Sequence, residues 1–349
     1  MKHILFLYTE IADYFLACAE YLAKDYQITI VRWPINKEAP FQFKENASLK
    51  MIEKKDNWSN LEAELSQQNF DLIIVSGWID KDYMSFAKSA RKKGVPTVLS
   101  LDNHWYGNIK QQIARMAAPF TLKKTFSHCW VPGKPQKEYA LKLGFSADKI
   151  FENFYCANVN LFQSNFEKGQ AEKYDPLKKK FIYVGRYLKH KGIFDLWEAF
   201  IQFRKSHPDW ELHSVGFGEE WENRIEAEGI IHHGFLQPDA LKEILNDSTI
   251  FILPSHFEPW GVVVHENAIS GFPMILSNHI GAGTKFLEEG KNGFTFESGN
   301  IQDLVEKMEL MASKSNSELK EMGQFSHQLG LSVDFEKWSE APRKILGDM

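Results

Sequence analysis

A chain of 349 residues, 44% of them hydrophobic, is long enough for two domains that each bury a core, and a net charge of −5 argues against general nucleic-acid binding while leaving local basic clusters free to meet anions. Three widely spaced cysteines, Cys18, Cys129 and Cys156, form no CxxC pair, which excludes the usual structural zinc pattern and suits reduced thiols in a cytoplasmic protein. No apolar run approaches the roughly eighteen residues of a membrane span, and the run at residues 4–8 is too short for the core of an export signal, so neither is expected.

HILFLY (residues 3–8) and YQITIVRW (residues 26–33) are apolar, β-prone runs separated by a helical pattern over residues 11–24, a βαβ unit. Strands at 71–76, 96–101 and 128–131 and helices over 57–67, 81–92 and 134–143 continue the alternation. This predicts a parallel, doubly wound sheet whose ligands gather beyond the carboxyl ends of the strands, at the loops 9–11, 77–80 and 102–105. Asp102 and His104 on the last loop suit an acid/base pair or a sugar contact, because imidazole titrates near neutrality and a carboxylate orients it. A purely structural or surface role has equal claim.

Residues 88–124 hold eight basic side chains against one acid, Asp102, and Ile109, Ile113, Met116 and Phe120 lie on one helical stripe. Such a stripe either presses on an anionic membrane surface or packs on the chain's own sheet with solvated lysines outside, and the second is the general rule for surface helices. We therefore expect packing on the sheet, with peripheral membrane contact as the alternative.

The polar stretch SNFEKGQAEKYDPLKKK (residues 164–180) stops the apolar periodicity and places the domain boundary there, giving an N-terminal domain over 1–165 and a second over 175–332. Strands at 181–184, 210–215, 229–233, 249–253 and 274–277 alternate with helices at 194–203, 238–245, 262–270 and 301–311. The expected architecture is α/β, with two Rossmann-like domains facing each other across a cleft. The helix-like pattern of residues 335–345 around Pro342 is expected to carry the terminal segment 333–349 back onto the first domain.

Two stretches of the second domain carry chemistry. In PSHFEPWGVVVHENAISGFPMILS (residues 254–277), a strand leads into a loop bearing Glu258, and Glu266 follows on the first turns of a helix. The helix N-terminus at Gly261, Val262 and Val263 attracts a phosphate, and the two carboxylates beside it are suited to sugar hydroxyls, which donate to them, better than to an anion. The competing reading makes both acids solvated helix-end residues. In VGRYLKHKGIFDL (residues 184–196), Gly185 frees the backbone at a strand's carboxyl end, and Arg186 and Lys191 offer a planar fork and a compact ammonium to a diphosphate.

The order of the two stretches, GR, then Lys191-Gly192, then PSxxEPWGxxxxE and GFPMILS, resembles the retaining family 4 glycosyltransferases of the two-domain GT-B fold. The resemblance extends through Gly216-Phe-Gly218, residues 234–239 and NGFTF (residues 292–296). It implies that Arg186 and Lys191 hold a donor diphosphate, that Glu258 contacts the donor sugar and Glu266 the ribose, and that the backbone at Gly261, Val262 and Val263 faces phosphates and sugar. It also implies a base near Gly234, Phe235 and Leu236 and a first-domain histidine, best matched by His104, near the reacting sugar. The sequence departs from the family at FYCANVNLF, with Asn160 where an acid is common, at the Gly281-Ala-Gly283-Thr284 loop, and at residues 8–11, where a glycine-rich loop is usual.

The expected function is hexosyl transfer from a nucleoside diphosphate sugar to an acceptor hydroxyl (sugar, lipid-linked or glycan) in cell-surface polysaccharide or glycoconjugate synthesis, and the resemblance implies retention. No cofactor and no metal are expected, since no DxD-type carboxylate pair follows a strand. A nucleotide-sugar epimerase or phosphorylase of the same fold and a catalytically silent sugar-nucleotide-binding protein are the alternatives.

Overall fold

In the computed structural model, which describes all residues except 37–47, 55–56 and 175–176, the chain divides into two compact units. The first holds the described residues up to Cys156 together with Val333–Met349, and the second is Ala157–Ser332.

The first unit runs β1 (His3–Tyr8), α1 (Asp13–Leu22), β2 (Gln27–Arg32), β3 (Leu49–Glu53), α2 (Trp58–Ser66), β4 (Leu72–Ser76), α3 (Lys81–Lys92), β5 (Thr97–Ser100), α4 (Ile109–Ala117), α5 (Leu122–Thr125), β6 (His128–Trp130), α6 (Lys134–Lys142) and β7 (Ile150–Phe151). Among the described residues its sheet has seven parallel strands in the order β3-β2-β1-β4-β5-β6-β7. β1 pairs Leu5 with Thr29 on one side and with Ile73 on the other. Every residue of β1 is buried, because both faces are covered, and this is why HILFLY reads as one apolar run instead of an alternation. Leu5 and Leu7 join Val75, Tyr83 and Tyr139 on one face. On the other, Phe6 meets Phe15 of α1 and Trp338 of the C-terminal helix Phe335–Leu346. Trp338 is 1% exposed and donates its indole N–H to the Phe154 carbonyl at 2.8 Å. The segment Val333–Met349 is thus built into the first unit's core although the second unit intervenes in sequence.

The start of α3 is fixed by Asp80, whose Oδ1 accepts from the amides of Asp82 (3.0 Å) and Tyr83 (3.1 Å) while Oδ2 accepts from Trp33 Nε1 and Lys54 Nζ. Burial pushes the Asp80 carboxyl up, and the Lys54 and Trp33 hydrogen bonds outweigh it and hold the group below the usual carboxylate range. The loop at 77–80, read from sequence as part of a ligand-binding edge, therefore commits its acid to capping. All three cysteines are buried, and none forms a disulfide.

The second unit runs α7 (Val159–Tyr174), β8 (Lys180–Val184), α8 (Ile193–Arg204), β9 (Glu211–Val215), β10 (Ile230–Gly234), α9 (Pro238–Asn246), β11 (Ile250–Leu253), α10 (Val262–Ile269), β12 (Met274–Ser277), α11 (Gly283–Phe286), β13 (Gly293–Phe296), α12 (Ile301–Ala312) and α13 (Asn316–Gly330). Its parallel strands are ordered β10-β9-β8-β11-β12-β13. The chain winds outward from β8 through β9 to β10, then returns to β8's other edge with β11. The strand order reverses between β8 and β11, which is where a doubly wound sheet opens a crevice for ligands.

Three expectations are corrected. The boundary lies at Cys156–Ala157 and not within 164–180, because residues 164–174 of that stretch belong to the helix α7, which buries Phe162, Asn165 and Tyr174 in the second unit. Strands β3, β7 and β13 were not expected: β3 and β13 are the edge strands at one end of each sheet, β3 with only one buried residue, and β7 is two residues long. The stripe Ile109, Ile113, Met116 and Phe120 does not pack on the sheet, and its four side chains are 58–78% exposed. No helix among the described residues is long and apolar enough to cross a membrane.

Candidate active site

The reversal point of the second sheet brings together the loop after β8 (residues 185–192) and the loop after β11 (residues 254–261). Gly192 makes this approach possible: it adopts φ +67°, and a Cβ there would run into the backbone carbonyl of Pro254. Two backbone bonds bridge the loops, since the amides of His256 (2.8 Å) and Phe257 (3.3 Å) both donate to the His190 carbonyl. Lys191 Nζ and the Glu258 carboxylate then form an ion pair, with side chains 15% and 12% exposed.

The loop after β8 is braced from below. Tyr183, fully enclosed, donates its hydroxyl to the Arg186 carbonyl at 2.9 Å, and burial pushes its pKa well above the usual phenol range. Tyr187 bonds Ser214 Oγ at 2.6 Å and His232 Nδ1 at 2.8 Å, and its ring packs against Trp197 and Trp221. Gly216 and Gly218, on the loop after β9, lie against the backbone of Gly185 and Tyr187, and a Cβ at Gly218 would sit 2.6 Å from the Tyr187 carbonyl oxygen. Arg186 is thus carried on a loop whose backbone is held on both sides. Lys189, by contrast, is 81% exposed. Partial burial, with Lys191 and Arg186 close by, holds His190 below the usual imidazole range, so it stays neutral near pH 7.

The loop after β11 ends at Gly261, the N-cap of α10, with φ +91°. A Cβ there would stand 2.9 Å from Cγ of Glu258, so the glycine lets the Glu258 side chain lie across the helix entrance. Gly281 donates its amide to the Glu258 carbonyl at 3.1 Å and Ala282 donates to the Trp260 carbonyl at 2.9 Å, which fixes the 280–284 loop alongside. Val262 and Val263 form the first turn of α10, and Glu266 follows one turn later, half-buried. The first-turn amides and the Lys191 ammonium supply positive potential beside two carboxylates. Such a site can hold an anion against the helix end while the acids accept from hydroxyls.

His265, adjacent to Glu266, is a positioning residue the sequence reading missed. It is 1% exposed; Nδ1 accepts from the Ala157 amide at 3.0 Å, so Nε2 carries the proton and donates to the Gly330 carbonyl at 2.8 Å. Gly330 lets α13 lie directly on α10, since a Cβ there would be 2.6 Å from the Ile269 nitrogen. Its only sequence signal is a histidine beside a motif acid. Phe235 and Leu236 follow β10, two strands from the reversal point, both half-buried.

Of the residues singled out in sequence, Gly185, Arg186, Lys191, Glu258, Gly261, Val262, Val263 and Glu266 fall on two adjoining loops and one helix of the second unit. His104 lies in the first unit, on the loop after β5. Its ring stacks on Tyr106 at 5.4 Å, and Asp102 accepts from the Tyr155 hydroxyl at 3.2 Å. Among the described residues, no group of three or more His, Cys, Asp or Glu side chains is arranged to hold a metal ion.

Residues 165–328, all within the second unit, match the family of group 1 glycosyl transferases. The chain is 27% identical over 169 residues to an uncharacterized glycosyltransferase of Haemophilus influenzae, covering 46% of this chain and 48% of that protein. It is 25% identical over 296 residues to spore coat protein SA of Bacillus subtilis, covering 76% and 75%. It thus spans about half the length of the first of these curated relatives. Among solved structures, that of Anabaena HepE in complex with UDP and glucose matches with a TM-score of 0.74 at 16% identity, covering 100% of both chains. The fold is GT-B, two Rossmann-like domains, and residues 165–328 of the second are similar to group 1 glycosyl transferases.

Proposed function

We propose that the chain transfers a hexose from a nucleoside diphosphate sugar to an acceptor hydroxyl, with retention of anomeric configuration and without a metal ion. The observation that carries this is the convergence of Lys191, Glu258 and the α10 N-terminus at the sheet's reversal point, inside the segment that matches the family. Binding of UDP and glucose by a protein of the same fold supports a nucleotide-sugar donor.

Breaking the anomeric C–O bond leaves negative charge on the diphosphate and positive charge on the sugar ring. Arg186, Lys191 and the first amides of α10 stabilise the leaving group as that charge develops, and they are held in place beforehand by Tyr183, Tyr187 and Gly192. Glu258 is assigned to the donor-sugar hydroxyls and Glu266 to the ribose, and Phe235 and Leu236 to the base. The acceptor belongs to cell-surface polysaccharide or glycoconjugate synthesis, a reading that the likeness to a spore coat protein supports.

The test is product analysis with each of a panel of nucleoside diphosphate hexoses, with and without acceptor, in chelator. A transferase releases the nucleoside diphosphate slowly by hydrolysis and faster with acceptor. An epimerised donor, formed without acceptor, would overturn the proposal, and a turnover abolished by chelator would remove its metal-free step.

A further inference from the structure

α4 presents the wrong face to its own unit. Gln111 and Ala118 are 9% and 0% exposed and Ala114 packs on the core, so the helix attaches through a polar and two small residues. Gln111 does this by hydrogen bonding: Oε1 accepts from the amides of Tyr106 (2.7 Å) and Gly107 (3.0 Å), and Nε2 donates to the His104 carbonyl. At about 100° per residue, the large apolar residues Ile109, Ile113, Met116 and Phe120 fall within roughly 60° of one another on the opposite side. They are 78%, 58%, 73% and 71% exposed. A helix kept only for packing would be turned the other way.

The charge around the stripe indicates what covers it. From residue 103 to residue 137 the sequence holds no acid, and Lys110, Arg115, Lys123 and Lys124, on α4 or just after it, are all exposed. Lys124 Nζ stands 6.0 Å from the centre of the Phe120 ring. An apolar stripe bordered by bases is the pattern of a helix lying in a bilayer interface, with its side chains in the acyl boundary and its ammonium and guanidinium groups at the headgroups. A second copy of the chain would instead bring basic residues against basic residues. We propose that α4 and the turn to Phe120 dock the first unit on an anionic lipid surface.

The experiment is co-sedimentation of the full chain with vesicles of phosphatidylcholine alone and of phosphatidylcholine with phosphatidylglycerol. The chain is expected to sediment with the anionic vesicles and to be released by salt, since headgroup attraction acts within a Debye length of about 10 Å at 0.1 M salt. The pair Ile113→Ser and Phe120→Ser weakens binding at least about tenfold. The pair Lys110→Glu and Arg115→Glu weakens it by about thirtyfold or more. Because all four positions are exposed, both variants keep the wild-type unfolding midpoint. Equal sedimentation with neutral and anionic vesicles, unchanged binding by either variant, or a concentration-dependent dimer that the serine variant abolishes while no vesicle binding is seen, would each overturn the proposal.

Discussion

Lys191 and Glu258, 67 residues apart in sequence, neutralise each other at the reversal point of the second sheet, each side chain more than four-fifths buried. The two residues were assigned different partners, a diphosphate for the lysine and sugar hydroxyls for the glutamate. Their pairing means that a donor must meet a lysine already engaged, and it couples stability to ligand binding.

Glu258→Gln releases Lys191 for a phosphate. The nucleoside diphosphate alone is expected to bind as tightly as to the wild type or more so, while turnover falls by about a hundredfold through loss of a sugar contact made in the transition state. Calorimetry with the nucleoside diphosphate checks the first part. A large loss of affinity would contradict the assignment of Glu258 to the sugar.

Lys191→Ala leaves the Glu258 carboxylate without its cation at a site only 12% exposed. We expect a loss of about 1–3 kcal/mol in stability, read by denaturant unfolding, together with loss of diphosphate binding. The double variant with Glu258→Gln recovers most of the stability and none of the binding, which separates folding from function.

Gly192→Ala places a side chain at φ +67° and against the Pro254 carbonyl. The strained backbone alone costs about 1–3 kcal/mol. Because Gly192 sets the approach of the two loops, donor affinity falls as well, whereas Gly290→Ala, also at positive φ but with open space around its Cβ, lowers stability and leaves affinity intact.

His128 on β6 gives the first unit a pH dependence. Burial, with Lys149 and Arg91 nearby, pushes the imidazole down from its ordinary 6.5 to about 4. The unfolded chain takes up this proton first as the pH falls, so the stabilisation is complete above about pH 6.5 and is lost between there and about pH 4. Unfolding midpoints across that window are expected to decline with acidification, and His128→Asn flattens the decline.

Much of the fold was legible because parallel strands covered on both faces leave continuous apolar runs: HILFLY at β1 and TIFIL at β11 are such runs. Edge strands lack that signal, which is why LKMIE at β3 passed unnoticed. The stretch at 164–180 reads as the domain boundary because its lysines and glutamates mask the buried side of α7, which carries Phe162 and Tyr174. Periodicity identified the stripe on α4 correctly but carries no information on which way a stripe faces. At the site, the residue types and their order were readable; the pairing of Lys191 with Glu258 was not, since it depends on the β8–β11 adjacency and on a glycine contact across it. The buried His265, which ties α10 to Ala157 and to Gly330, left no signal beyond its place beside the motif acid Glu266.

The most direct test of a nucleotide-sugar site on the 185–192 and 254–266 segments is thermal unfolding in the presence of a panel of nucleoside diphosphates and their sugars. The account predicts that one member, at about a hundred times its dissociation constant, stabilises the chain by roughly 2.7 kcal/mol, and that Lys191→Ala and Glu266→Ala abolish the shift. No shift with any member, or a shift that persists unchanged in both variants, would contradict it.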